Sequence, residues 1–180
     1  MWELLIVALV VVGAVVMYNS LVRLRQQADA AWADIDVQLK RRYDLIPNLV
    51  ETVKGYAGHE KETLERVIQA RTSAMLAQGP AAKAEAEGVL TGALKSLFAL
   101  SEAYPQLQAA GGFRDLQGML SEIEEHLAQA RRYYNAVVRD FNTRTETFPS
   151  VLIARAFGFT KREFFEIEEA EKAVPKVKFD

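Results

Sequence analysis

The first 22 residues constrain the fold more than any other part of the chain. They contain one charged side chain, Glu3, and an uninterrupted apolar run from Leu4 to Tyr18. A helix of that overall length covers about 30 Å at ~1.5 Å per residue, which matches the hydrocarbon layer of a bilayer. A single helix also satisfies its own backbone hydrogen bonds inside that layer. We therefore predict a transmembrane anchor over residues 1–22 and one helical domain over residues 23–180.

The flanking residues favour a permanent anchor over a cleaved secretory signal. No Lys or Arg precedes the apolar run, and residues 17–20 (MYNS) make a poor cleavage site. A buried core helix would show a polar face, which residues 4–17 lack. Arg23 and Arg25 follow the segment directly. The positive-inside bias therefore predicts an external N-terminus and a cytoplasmic domain.

Composition excludes several classes of function. The 22 basic and 24 acidic residues are interspersed and give a net charge of −2, which argues against a nucleic-acid-binding surface. The chain has no cysteine, so disulfides, thiolate metal sites and thiol catalysis are excluded. A locally acidic C-terminal stretch is interpreted as a solvated helix face. It comprises Glu163, Glu166, Glu168, Glu169 and Glu171.

The spacing of apolar residues predicts an all-α fold. Apolar side chains recur at alternating steps of three and four residues from Phe113 to Phe141, which predicts a long packed helix over residues 113–147. Residues 20–57 form a second long amphipathic segment with an expected bend at Pro47. Residues 60–78 and 84–103 predict two shorter helices around Gly79-Pro80.

Those two shorter helices are alternatively one interrupted helix, in which case residues 150–172 supply the fourth helix. Both arrangements give an N-terminal transmembrane helix followed by an antiparallel, up-and-down bundle of about four helices.

Four segments then carry a family resemblance. They are YNSLVRLR at 18–25, AWADIDVQLKRRYDLIPNLVETVKGYAGHE at 31–60, EAYPQL at 102–107 and ARRYYNAVVRDFNTRTETFPSVLIARAFGFTKREFFE at 130–166. In this order they resemble the LemA family of bacterial membrane proteins. The resemblance implies a single anchor, a helical bundle and no established catalytic activity. One relative takes part in magnetosome formation, and some relatives carry a lipoprotein-type signal in place of the anchor.

The histidines do not form a recognisable metal motif. A zincin motif starting at His59-Glu60 needs a second histidine at position 63, which is Thr63. A di-iron Glu-x-x-His pair ending at His126 would need Glu at position 123, which is Ile123. We therefore predict no metal, no cofactor and no catalytic residue. Glu122 and His126, four residues apart, are expected to form a surface pair.

Polar side chains on the two long helices are the first candidate site. Asp36–Lys40 and Gln38–Arg42 are spaced as neighbours one helical turn apart. Such residues either set the register of helix packing, which we favour, or form a stripe that binds a protein partner. The candidates of this kind are Asp36, Gln38, Arg42, Asn48, Asn135 and Asn142.

The aromatic segment over residues 148–165 is the second candidate site. It contains five phenylalanines, of which Phe157 and Phe159 are candidate partner-binding residues. The segment is expected to cap the open end of the bundle. Docking a protein partner and lying on a membrane surface are the alternatives.

These features predict a single-pass, membrane-anchored, non-enzymatic scaffold or adaptor with protein partners and possible self-association. No nucleic acid and no small-molecule substrate is expected. One alternative is a metal-binding or enzymatic bundle whose carboxylates meet inside. Its candidates are Asp34, Asp44, Glu51 and Glu60. Another alternative is a regulatory partner of a membrane protease, which no residue specifically favours.

Overall fold

A computed structural model describes residues 1–166, which form helices and their connecting segments without any strand. The helices are α1 (Trp2–Ala57), α2 (Lys61–Leu76), α3 (Pro80–Ser101), α4 (Pro105–Ala109), α5 (Gly111–Glu146) and α6 (Ser150–Ala156). The predicted all-α fold with an apolar N-terminal helix is therefore confirmed.

Helix α1 joins the apolar N-terminal run to the amphipathic segment without a break. It contains an 18-residue stretch that is long and apolar enough to cross a membrane, and only 6% of that stretch is buried. The helix does not stop at Pro47 and ends at Ala57. The bend expected at Pro47 stays a prediction. A Cβ at the following Gly58 would lie 2.9 Å from the Lys54 carbonyl oxygen, so this position requires glycine.

The chain divides into two compact units. Unit 1 comprises residues 1–41 and 121–164, and unit 2 comprises, within the described residues, 42–120 and 165–166. Both long helices, α1 and α5, contribute residues to each unit. The predicted boundary between an anchor at 1–22 and a domain at 23–180 is drawn where the apolar N-terminal segment ends. The two units are defined by packing instead, so this boundary stays a prediction.

The apolar positions predicted to pack together are largely buried. On α5, Phe113, Leu120, Ile123, Leu127, Tyr134, Val137 and Phe141 are each at most 8% exposed. On α1, the corresponding buried residues are Ala28, Ile35, Leu39, Tyr43, Ile46, Val50, Val53 and Ala57. Leu116 and Ala130 of the α5 series and Trp32 of the α1 series are half-buried. The spacing argument therefore identified the packed faces of both helices.

The two shorter helices are separate elements. Helix α2 ends at Leu76 and α3 begins at Pro80, after Gly79, which adopts φ 80°. A positive φ is inexpensive only for glycine, and proline is favoured in the first turn of a helix. This Gly-Pro pair therefore ends one helix and starts the next.

The alternative of a helix over residues 150–172 is wrong, because α6 ends at Ala156. Gly158 takes φ 70°, and the Phe159 amide donates to the Ala154 carbonyl oxygen at 2.9 Å. This is a Schellman closure, which stops a helix by satisfying its last carbonyls. Residues 159–166 then continue without regular structure. The acidic residues Glu168, Glu169 and Glu171 lie outside the described residues.

Candidate functional site

Arg42 lies in a buried ion pair of unit 2. Its side chain is 1% exposed, and that of Glu87 on α3 is fully buried. The Arg42 Nη1 atom donates to Glu87 Oε2 at 2.6 Å, and Nη2 donates to Thr91 Oγ1 at 2.9 Å. Gln38 is the neighbour of Arg42 one helical turn away in sequence, whereas the carboxylate that Arg42 binds is 45 residues further along the chain. A buried guanidinium needs a full counter-charge, which only a carboxylate supplies.

A tyrosine extends this cluster. The Tyr43 hydroxyl donates to the other Glu87 carboxylate oxygen and lies 3.4 Å from the Ala74 carbonyl oxygen of α2. The Arg71 Nε atom donates to the Tyr43 carbonyl oxygen at 2.8 Å, and Lys83 Nζ donates to Ala74 O at 3.2 Å. Residues from α1, α2 and α3 therefore meet in one polar network, which we call the Arg42 cluster.

The ion pair of the Arg42 cluster is closed to solvent. Its two charges are neutralised by each other and shielded from water, so neither meets a dissolved substrate in this structure. An ion pair of this kind contributes little net stability but penalises any packing that separates its members. The register role of Arg42 stays a prediction.

Glu87 and Thr91 were not identified from sequence. Glu87 lies in an alanine-rich stretch, where an acidic residue is ordinarily solvent-exposed. A signal was nevertheless present, because Glu87 falls on the same face of α3 as Ala84, Leu90 and Leu94, which are all buried. A lone acid on an apolar face indicates a buried counter-charge elsewhere in the fold.

Asn142 holds the C-terminal segment of unit 1. Its Nδ2 atom donates to the Arg162 carbonyl oxygen at 2.9 Å, and its Oδ1 atom accepts from the Arg162 amide at 2.8 Å. The Tyr134 hydroxyl donates to the Glu163 carbonyl oxygen at 2.9 Å. These side chains of α5 replace the hydrogen bonds that the irregular backbone cannot make to itself. We call this arrangement the Asn142 clasp.

Arg162, whose backbone the Asn142 clasp holds, also contacts α1 through its charged side chain. The Arg162 guanidinium donates to the Asp29 carboxylate and, at 3.1 Å, to the Arg25 carbonyl oxygen. The pKa of the Tyr134 hydroxyl is raised, chiefly by burial. The positive charge of Arg162 lowers this pKa, and the negative charges of Glu163 and Asp29 raise it. Residues 162 and 163 are therefore tied to both long helices of unit 1.

Phe159 fills the centre of an aromatic cluster in unit 1. Its ring lies 5.8 Å from that of Tyr18 and 6.4 Å from that of Phe141, and the Arg25 guanidinium lies 5.3 Å above it. Phe157 instead is 62% exposed, with its ring 4.8 Å from that of Tyr18. The segment therefore covers α1 and α5 with Phe159 and leaves Phe157 open.

The remaining predicted residues are spread over both units. Asp36 and Asn48 are exposed on α1, whereas Gln38 and Asn135 are half-buried. The Gln38 Oε1 atom is shielded from solvent and has no hydrogen-bond partner among residues 1–166. The proposed roles of these residues stay predictions.

The carboxylates proposed to meet inside the bundle do not do so. Asp34, Asp44 and Glu51 are exposed, and Glu60 accepts a 3.0 Å hydrogen bond from Tyr104 that raises the pKa of that tyrosine. Among residues 1–166, no three histidine or carboxylate side chains are grouped to hold a metal ion. Exposure is favoured at these positions because a charged group loses hydration when it is buried. The predicted surface pair of Glu122 and His126 is present, at 3.6 Å.

An open groove of unit 2 is a further candidate surface. It has a volume of about 510 Å³ and lies beside the Phe98 and Phe113 rings, whose centroids are 6.1 Å apart. Lys95 and Arg114 also line it. This volume falls in the range of ligand pockets, but the groove is wide open rather than enclosed.

Comparison with known proteins identifies the family. The sequence profile of the LemA family matches residues 31–179. Magnetosome protein MamQ of Magnetospirillum gryphiswaldense is 27% identical in an alignment of length 179. The alignment covers 85% of this chain and 66% of the relative. Magnetosome protein MamQ 1 of Paramagnetospirillum magneticum is 25% identical with the same coverage.

Protein LemA of Metamycoplasma hominis is 25% identical over 158 residues, which cover 86% of this chain and 71% of the relative. The chain thus spans just under two thirds of the length of the MamQ relatives. The family profile covers far more than half of the sequence described above. This chain belongs to the LemA family.

Proposed function

We propose that the protein is a single-pass membrane protein whose helical part acts as a non-enzymatic scaffold or adaptor. One observation carries this proposal: α1 runs uninterrupted from an exposed apolar segment into packed structure. A continuous helix provides no flexible linker between the membrane and the part of unit 1 that packs on it. Anchoring then raises the effective concentration of the protein toward membrane partners.

The polar interactions support a structural role for the helical part. The Arg42 cluster and the Asn142 clasp direct their charges and amides toward the protein itself. We propose that both set how helices and the C-terminal segment align. The exposed residues Asp36 and Asn48 remain available for a partner.

The names of the relatives support the same class of function. The MamQ relatives are named after a cellular structure, the magnetosome, and not after a reaction. We therefore infer a role in assembly at a membrane, with protein partners and possible self-association. Neither a nucleic acid nor a small-molecule substrate is part of the proposal.

Proximity labelling in living cells tests the scaffold. A labelling enzyme is fused to the C-terminus of the full chain and, as a matched control, to a chain whose residues 2–18 are replaced by an unrelated single-span helix. We expect both fusions to recover the same membrane proteins, because the helical part selects the partners. Recovery of no reproducible membrane protein, including a second copy of the chain, would contradict the proposal.

We propose a cytoplasmic location for the helical part, on the basis of Arg23 and Arg25 after the apolar run. A C-terminal reporter that is active only in the cytoplasm should work, and one that is active only outside should fail. The opposite result would reverse the orientation without affecting the anchor.

Elemental analysis separates the scaffold from a metal-dependent enzyme. Protein purified from its native membrane should contain iron, manganese and zinc well below one equivalent per chain. A stoichiometric amount of any of them would overturn the non-enzymatic assignment, and the metal would then have to be located.

A further inference from the structure

We propose that the exposed apolar face of α6 and the residues beside it insert into the lipid layer next to the α1 anchor. This face, the junction patch, consists of Phe148, Leu152 and Phe157. The inference rests on the proposed anchor and deepens it, because it assigns a second contact with the same membrane. The partner is the interfacial zone of a phospholipid bilayer.

Exposure is the first observation. Phe148 is 80% exposed, Leu152 is 58% exposed and Phe157 is 62% exposed, all within ten residues of chain. Other apolar side chains of this segment face inward: Ala154 is 1% exposed, and Ile153 and Phe159 pack against the core of unit 1. The junction patch is therefore the uncovered side of an element whose other side is packed.

Position is the second observation. The Phe157 ring lies 4.8 Å from the ring of Tyr18, the last residue of the apolar run. One turn further along α1, Leu21 is fully buried in a cluster with Ala154 and Phe141. At this level, α6 and the residue that follows it, Phe157, therefore cover part of the surface of α1. Lipid that reaches Tyr18 also reaches Phe157.

Length gives the third step. The predicted anchor over residues 1–22 covers about 30 Å at ~1.5 Å per residue, so its last turn lies at the edge of a ~30 Å hydrocarbon layer. At this level α6 packs on α1 through Leu21 and Leu24. We therefore place the junction patch at the depth of the interfacial zone.

Charge gives the fourth step. Residues 18–25 and 147–162 together contain five basic side chains, of which Lys161 and Arg162 pair with Glu146 and Asp29. The other three, Arg23, Arg25 and Arg155, are exposed. Basic residues at the edge of an apolar surface attract anionic lipid headgroups. Continuity with the span and this charge favour lipid over a protein partner.

The absence of cysteine from the native chain makes a direct test possible. Single variants Leu152→Cys and Phe157→Cys carry a nitroxide spin label, and the full-length protein is placed in vesicles of phosphatidylethanolamine and phosphatidylglycerol. Two matched positions are labelled in parallel: Val10→Cys inside the apolar run and Val37→Cys on the part of α1 beyond it. Val37 is 50% exposed, similar to Leu152.

Power saturation compares the accessibility of each label to oxygen, which partitions into lipid, and to a nickel chelate, which stays in water. We expect labels at 152 and 157 to show a ratio of oxygen to chelate accessibility several-fold above that at 37, approaching that at 10. Circular dichroism of each variant confirms that helical content is retained. If Leu152→Cys does not fold, Phe148→Cys takes its place.

A water-like ratio at 152 and 157 with a lipid-like ratio at 10 would overturn the junction patch and leave the anchor standing. A water-like ratio at 10 would overturn the anchor and this inference together. Protection of 152 and 157 from both reagents would also overturn the inference, because it would show that protein covers the patch.

Discussion

The two units use buried polar groups in different ways. In unit 2, the Arg42 cluster buries a full ion pair between α1 and α3. In unit 1, the Asn142 clasp uses a neutral amide to hold the backbone of Arg162, while the charges of Arg162 and Asp29 remain partly exposed. Breaking a buried ion pair leaves a charge without compensation, whereas breaking a neutral clasp leaves only hydrogen-bonding groups. The units should therefore differ in their sensitivity to single substitutions.

The largest expected effect comes from Glu87→Ala. This substitution leaves the Arg42 guanidinium buried without its carboxylate, which should lower the free energy of unfolding by about 3–5 kcal/mol. Urea unfolding of the detergent-solubilised protein, followed by circular dichroism, measures the loss. Glu85→Ala is the matched control, because Glu85 is exposed two residues away on the same helix.

The double variant Arg42→Met/Glu87→Leu sharpens this test. Removing both charges together should restore the free energy of unfolding to within about 1–2 kcal/mol of the wild type, because no unpaired charge remains. If Glu87→Ala costs no more than Glu85→Ala, the buried Arg42 guanidinium does not depend on the Glu87 carboxylate.

The next largest effect is expected in the aromatic cluster of unit 1. Phe159→Ala removes a half-buried ring that lies near Tyr18, Phe141 and Arg25, and should cost about 2–3 kcal/mol in the same unfolding assay. Phe157→Ala, two residues earlier, removes an exposed ring and should cost about 0.5 kcal/mol in detergent. Equal losses would contradict the assignment of Phe159 to the packed side of the segment.

Asn142→Ala should have a smaller effect, confined to the clasp. Loss of both hydrogen bonds to the Arg162 backbone should cost about 1–2 kcal/mol. Hydrogen exchange should show faster exchange of the Arg162 amide, while the amides in the middle of α5 remain protected. Asn48→Ala, at an exposed position of α1, is the control. Unchanged exchange at Arg162 would show that Asn142 does not hold the segment.

The smallest expected effect is on how the free energy of unfolding changes at alkaline pH. The pKa of Tyr134 is raised in the folded protein, chiefly by burial, above its ordinary value of 10.0. The folded state then holds a proton that the unfolded state releases, so this stabilisation is complete below pH 10 and is lost as the pH rises through the folded pKa. The free energy of unfolding should therefore fall between pH 9 and 11.

Tyr134→Phe should remove this part of the pH dependence, whereas Tyr133→Phe, at an exposed neighbouring position, should retain it. Chemical unfolding at both pH values measures the difference. The raised pKa of Tyr104 is common to all three proteins and cancels in the comparison. Identical slopes for the two variants would contradict the burial of the Tyr134 hydroxyl.

The helices could be predicted because their evidence is local. The spacing of three and four residues predicted the long helix α5, and the Gly79-Pro80 pair predicted a break before α3. Both features depend on residues within one or two helical turns, and both predictions are confirmed. The end of α6 could also have been read from Gly158, a favoured residue for a helix C-terminus.

The polar partners could not be predicted in the same way. Glu87 lies 45 residues from Arg42 along the chain, and its pairing depends on how α3 packs against α1. Asn142 binds backbone atoms of Arg162, which no side-chain pattern reveals. Asn142 and Arg42 were identified as polar residues facing a packed surface, but their partners required the structure.

The most direct test of the central claim is a distance within α1 in a lipid bilayer. Nitroxide labels at Val12→Cys and Ala30→Cys lie on the same face of the helix, 18 residues apart, one in the apolar run and one beyond it. Pulsed electron resonance should give a single narrow distance near 27 Å, from ~1.5 Å per residue. A broad or much longer distribution would show a break between the anchor and unit 1, and would contradict the account of a protein held to its membrane by one continuous helix.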